Sequence, residues 1–158
     1  MKKIYFAAPL FSASELQFNQ ALTDKIRAEI SDVEVFLPQE QGEINDKNAY
    51  ADSKMIAQVD TQAVLSSDLL FAVLDGLAID PGVASEIGIA YQAGIPVVGL
   101  YTDSRQAGYD NPQKLEALAE LAESQFSYAN LYTIGLIKLN GEVVASTDDL
   151  VSILKKYL

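Results

Sequence analysis

Histidine and cysteine are both absent from the 158 residues of this chain. Without histidine there can be no Ser-His-Asp triad, no imidazole general base and few of the usual zinc sites. Without cysteine, disulfides, thiolate metal sites and thiol nucleophiles are excluded together. Positive charge is scarce as well, with 11 Lys and Arg against 22 Asp and Glu and a net charge of −11. Arg27 and Arg105 are the only arginines and neither lies in a basic cluster. That balance argues against nucleic acid and anionic membranes as partners, since both reward clustered cations. No apolar run approaches the roughly 18 residues that span a bilayer. Met1-Lys2-Lys3 leads into Ile4-Tyr5-Phe6, but Pro9, Ser12 and Glu15 break the run too early for a signal-peptide core, which predicts a cytoplasmic location. Any acid–base or nucleophilic work falls to carboxylates, tyrosines or lysines.

What is present is a regular alternation. Hydrophobic residues make up 49% of the chain, enough for one domain spanning 1–158 with a substantial core. Short, nearly continuous apolar runs at 3–7, 33–37, 68–74 and 96–101 read as strands. Between them, helical spacing predicts helices from 12 or 14 to about 30, from 49 to about 66, and over 82–93. Further on, helices are expected at 112 to about 123 and at 147–157, with extended segments over 136–145 around the Asn140-Gly141 turn signal. The polar stretch 39–48 reads as a loop long enough to cover a site. Strands buried on both sides and alternating with amphipathic helices define an α/β fold: a doubly wound (Rossmann/flavodoxin-like) five-stranded parallel sheet flanked by helices. In such sheets ligands sit at the carboxyl ends of the strands, where the strand order reverses. That crevice gathers Tyr5 and the Ala7-Ala8-Pro9 turn from one side and Asp75 to Gly82 from the other.

The most informative segment is Asp80-Pro81-Gly82-Val83-Ala84-Ser85-Glu86-Ile87-Gly88-Ile89-Ala90. Asp80 suits the N-cap and Pro81 the first helical position. Glu86 then shares a face with Gly82 and Val83 one turn back and with Ile89, Ala90 and Ala93 ahead. An acid among small and apolar neighbours costs free energy unless it is hydrogen-bonded or paired, and small neighbours leave room for a sugar ring. Glu86 is therefore the catalytic candidate. Asp80 serves as a cap and can also offer an oxygen to a ligand hydroxyl. Asp75 suits a turn with Gly76 as well as it suits a site. Asp60 lies late in its helix with Ile56, Ala57 and Val64 nearby, so it can face the crevice or solvent. Tyr5 fits core packing, and Asn130 fits a helix start.

Together these residues resemble the nucleoside 2-deoxyribosyltransferase family. The resemblance runs through Lys3-Ile4-Tyr5-Phe6-Ala7-Ala8-Pro9, the strand leading to Asp75-Gly76, Asp80-x-Gly82-x-x-x-Glu86-x-Gly88, and Asn130-Leu131. It implies that Glu86 is the nucleophile and that Tyr5 hydrogen-bonds it. It further implies that Asp80 holds the sugar hydroxyls and that Asp60 protonates the departing base. Gly82, Asp75, Ala8 and Phe11 are expected to line the substrate site. Asn130 is expected to reach a neighbouring subunit's site, which implies a homo-oligomer. Some relatives also place a terminal tyrosine carboxylate in the site, whereas this sequence reads Tyr157-Leu158 there.

The implied substrates are 2′-deoxynucleosides and free nucleobases, in nucleotide salvage, with neither metal nor organic cofactor. The chemistry suits a carboxylate beneath the ring, which can trap the oxocarbenium-like centre covalently, as in retaining glycosidases. A related activity, hydrolysis of 2′-deoxynucleoside 5′-monophosphates, goes with Gly- and Ser-rich turns after the first strand. Here that turn reads Ala7-Ala8-Pro9-Leu10-Phe11, which favours unphosphorylated substrates, although Ser12, Ser14 and Ser85 fit the hydrolase. A non-catalytic nucleoside-sensing module on the same fold is the remaining reading.

Overall fold

The computed structural model describes residues 1–42, 48, 50–124 and 126–158. Five strands form a single parallel sheet: β1 (Lys2–Ala7), β2 (Val33–Phe36), β3 (Leu69–Val73), β4 (Val97–Leu100) and β5 (Gly141–Val144). Their order is β2-β1-β3-β4-β5, so the order reverses between β1 and β3. Tyr5 pairs with Phe36 on one side and with Leu70 on the other. Side-chain alternation divides the core into two halves. Ile4, Phe6, Leu69, Phe71, Val73, Val98 and Leu100 face one layer, and Tyr5, Ala7, Leu70, Ala72, Leu74 and Val97 face the other. Every residue of β3 and β4 is buried, which explains why these strands read as unbroken apolar runs.

The first layer holds α1 (Ala13–Glu29) and the closing helix α6 (Leu150–Tyr157). Ser12 starts α1 through a full capping box with Glu15, the reciprocal bonding expected of Ser-x-x-Glu. The opposite layer holds α2 (Ser53–Leu65), α3 (Pro81–Gln92) and α5 (Leu131–Leu139), while the short α4 (Pro112–Ala117) lies in the connection after β4. Pro81 opens α3 under the Asp80 cap. Gly94, at φ +73°, closes it: Ile95 N–H reaches Ala90 O and Gly94 N–H reaches Tyr91 O. These two bonds make a Schellman motif, and its left-handed residue favours glycine.

Several boundaries differ from expectation. The stretch expected to be extended over 136–145 is half helix: α5 runs to Leu139 before β5 begins at Gly141. The apolar and β-branched residues of α5 imitate a strand, but the Asn130 cap and the burial of Thr133 and Ile137 select the helix. The alanine-rich helix expected to about 123 stops at Ala117. Beyond it Leu121 is almost fully exposed, and propensity without burial does not sustain a short helix. The second helix begins at Ser53 under an Asp52 cap rather than at 49, and the last begins at Leu150 rather than 147. Within the 39–48 loop, Pro38–Glu40 forms a 3-10 turn, and 43–47 lie outside the described residues.

Candidate active site

Tyr5 sits in the middle of β1, fully buried, with its ring stacked on Phe36 at 5.4 Å between centroids. Burial of this kind would strand a phenol unless its hydroxyl found a partner. It donates to Glu86 Oε1 at 2.6 Å. Glu86 lies in α3, about a turn and a half past its start at Pro81, and is half-buried. Removal from water raises its carboxyl to about 7; the Tyr5 hydroxyl opposes that rise, and the negative charges of Asp60 and Asp80 add to it. Burial, and then the adjoining Glu86 charge, push the Tyr5 hydroxyl far above the ordinary tyrosine range. Tyr5 is thus a permanent donor, and Glu86 is a carboxylate poised near neutrality.

Asp60 comes to this region from α2. Its Oδ1 is buried and accepts no hydrogen bond among the described residues, and burial raises its carboxyl. An orphaned buried oxygen of this kind marks a group that awaits a partner or retains its proton. Its charge is felt at both Tyr5 and Glu86. Asp80 accepts from the N–H groups of Gly82 at 2.9 Å and Val83 at 3.1 Å, both at Oδ1. A Cβ at position 82 would lie 3.0 Å from that oxygen, so the glycine allows the cap to close tightly. Tyr5, Glu86, Asp60 and Asp80 therefore face one neighbourhood beside the switch point, on the α3 side of the sheet.

The other expected residues lie elsewhere. Asp75 uses both oxygens on Thr102, accepting from its N–H and its hydroxyl at 2.6 Å each, which latches the end of β3 to the end of β4. It lines a cavity of about 360 Å³ on the α1 side, together with Pro9, Ser14, Glu15, Asn19 and Gly76. The methyl of Ala8 is buried in the α1-side core, away from Glu86's layer. Phe11 stands largely exposed in the turn before α1. Asn130 caps α5, with Oδ1 accepting from Thr133 N–H at 3.1 Å. A larger cavity of about 460 Å³ lies between the ends of β4 and β5 and α5, lined by Tyr101, Tyr128, Ile134 and Lys138 among others, and it includes none of the four clustered residues. Among the described residues no group of acids could hold a metal ion, and no helix is long and apolar enough to cross a membrane.

Phe36, Asn19 and Thr102 escape sequence reasoning because their roles depend on contacts across the sheet edge. Glu15 carried a legible signal in Ser12-x-x-Glu15. Its carboxylate accepts from two successive backbone N–H groups.

A doubly wound sheet with a buried tyrosine–carboxylate pair at its switch point is the framework of an α/β enzyme acting on a small ligand. The nucleoside 2-deoxyribosyltransferase family model matches residues 4–131, and the chain belongs to that family. A conserved protein from Enterococcus faecalis V583, known as a crystal structure, is 63% identical at a TM-score of 0.95, covering 100% of this chain and 99% of its own. A 2-desoxiribosyltransferase from Leishmania mexicana shares the fold at 20% identity and a TM-score of 0.63, covering 99% of this chain and 97% of its own. The CMP N-glycosidase of Clostridium botulinum is similar at 16% identity and a TM-score of 0.50, covering 99% of this chain and 100% of its own. No curated protein matches the chain.

Proposed function

We propose that this protein transfers the 2-deoxyribosyl group between nucleobases of 2′-deoxynucleosides, by a retaining double displacement through a glycosyl ester on Glu86. The observation that carries this reading is the 2.6 Å bond from the buried Tyr5 hydroxyl to the half-buried Glu86 carboxylate. Such a bond orients one oxygen and leaves the other to react.

In the first displacement Glu86 Oε2 bonds to the anomeric carbon as the C–N bond breaks, and its electron pair leaves with the base. Asp60, with its carboxyl raised by burial, supplies the proton that the departing nitrogen needs. In the second, the nitrogen of a new base bonds to the anomeric carbon, the ester C–O bond returns its electrons to Glu86, and Asp60 recovers a proton from the incoming base. Two inversions restore the original configuration. Tyr5 steadies the carboxylate in both steps, and Asp80 is the acceptor for sugar hydroxyls. Gly82 borders this site in the same reading, and Asp75, Ala8 and Phe11, which stand on the α1 side of the same sheet edge, would meet only the outlying parts of a substrate. Water kept from the ester favours transfer over hydrolysis.

Asn130 acts in this reading on the site of a neighbouring copy. Leu131, Tyr132 and Leu139 stand exposed along the helix it caps, and such an apolar surface suits contact with a second subunit.

The test is incubation with a 2′-deoxynucleoside and a different free base, followed by intact-protein mass spectrometry without the second base. Exchange, together with a deoxyribosyl adduct on Glu86, is the expected result. Hydrolysis without exchange would favour an N-glycosidase, and no turnover of any deoxynucleoside would favour a sensing module.

A further inference from the structure

Doubly wound sheets seat phosphate groups on the backbone N–H groups of helix N-termini at the switch point. Two helices of this protein open there, α1 after β1 and α3 after β3, and a carboxylate of the chain itself already occupies each opening. At α3, Pro81 has no N–H, and those of Gly82 and Val83 are taken by Asp80 Oδ1. At α1, the N–H groups of Phe11 and Ser12 converge on one oxygen, Glu15 Oε2, at 3.0 and 2.7 Å.

A capping box accounts for the Ser12 bond in any helix. It does not account for the Phe11 N–H, one residue before the cap, turning onto the same oxygen. Two adjacent N–H groups sharing one anionic oxygen is the arrangement by which a turn grips a phosphate. Glu15 and Asp75 both line the 360 Å³ cavity at this edge, and among the described residues no lysine or arginine lines it. A phosphate arriving there would find its donors in use, a carboxylate on either side and no cation beside it.

We propose that Glu15 is the specificity-determining residue that turns away substrates carrying a 5′-phosphate, by filling the anion seat of α1 with its own carboxylate. The proposal rests on the nucleoside reading above and adds the residue that enforces it. The Glu15 carboxyl is held below the ordinary range, first by the Ser12 and Phe11 backbone bonds, so the seat is filled by an anion throughout the neutral range. A glutamine in its place would offer one carbonyl oxygen to the same two N–H groups and keep the box while removing the charge.

The experiment compares binding of the four common 2′-deoxynucleosides with that of their 5′-monophosphates. Calorimetry would be run on wild type, Glu15→Gln and Glu15→Ala at low and physiological salt. The readout is the ratio of monophosphate to nucleoside affinity, in which any common effect of a substitution on the fold cancels. Wild type is expected to prefer the nucleoside, and removal of one nearby charge should shift the ratio toward the monophosphate by about tenfold. Glu15→Ala, which also frees the two N–H groups, should shift it further, with the larger change at low salt. A wild type that binds both forms equally, or a ratio unmoved in both variants, overturns the proposal. Failure of the nucleoside reading looks different: binding persists with its discrimination while exchange is absent. Binding of neither form by any of the three proteins would remove both.

Discussion

Glu15 and Glu86 are the same residue type, each within the first turn and a half of a helix that opens onto the same edge of the sheet, and their surroundings drive them in opposite directions. Glu15 spends its charge on backbone donors and is held below the ordinary carboxyl range. Glu86 is largely withdrawn from water, accepts a hydrogen bond from Tyr5, and is pushed up to about 7 with Asp60 and Asp80 adding repulsion. A carboxylate satisfied by the backbone is a fixed charge that neither gives up nor takes a proton near neutrality. One starved of donors and kept from water is the nucleophile of the proposed mechanism. The contrast shows how a single side-chain chemistry serves both roles, with desolvation as the deciding factor.

The sharpest way to break this comparison is to remove the proposed nucleophile. Glu86→Ala should lower deoxyribosyl exchange by about a thousandfold or more while the circular dichroism spectrum stays native. Near-normal turnover in that variant would end the proposed mechanism. Next in size is an effect on stability. Because the folded carboxyl of Glu86 lies near 7 and the unfolded one near 4.5, the folded state holds the proton longer. Glu86 therefore takes stability away as pH rises from the unfolded value through the folded one. Glu86→Gln should recover on the order of 3 kcal/mol above pH 8 and almost nothing below pH 4. Chemical denaturation at both extremes would read this, and a gain independent of pH would refute the assigned burial.

A smaller loss tests the donor. Tyr5→Phe should slow exchange by about 10- to 100-fold, the consequence of losing one hydrogen bond to a charged group. Since that bond lowers the Glu86 carboxyl, its loss should also move the rising limb of the pH–rate profile to higher pH. A uniform loss of rate with no displacement of the limb would mean that Tyr5 only packs. The smallest effect on stability belongs to Glu15. Glu15→Ala should cost about 1 kcal/mol of stability through the lost cap, with no pH dependence across the neutral range. A titration near 7 in the difference between wild type and this variant would contradict the contrast.

The parallel sheet was legible because its central strands are buried on both faces, and such strands write continuous apolar runs into a sequence. Helix starts were legible where a capping residue meets a proline or a glutamate, as at Ser12 and Asp80–Pro81. The reading failed at α5, whose composition imitates a strand and whose helical state is fixed by docking against α3. It also failed past Ala117, where propensity had no buried face to reinforce it. In the site, Glu86 stood out because an acid among small residues needs a physical reason. Asp75 gave a weaker guide, since the Thr102 that engages both its oxygens is 27 positions away. Phe36, which supports the Tyr5 ring, was hidden for the same reason: register between parallel strands cannot be read from either strand alone.

The hydroxyl that steadies Glu86 hangs from one of the innermost strands of the sheet rather than from a surface loop. Its aim is therefore as firm as the interior itself, with Phe36 on one flank and Leu70 on the other. Warming should leave the Tyr5–Glu86 bond in place until the sheet itself melts. Changes to the hidden faces of the first two strands would then reach the Glu86 carboxylate through that hydroxyl, although none of them lies beside it.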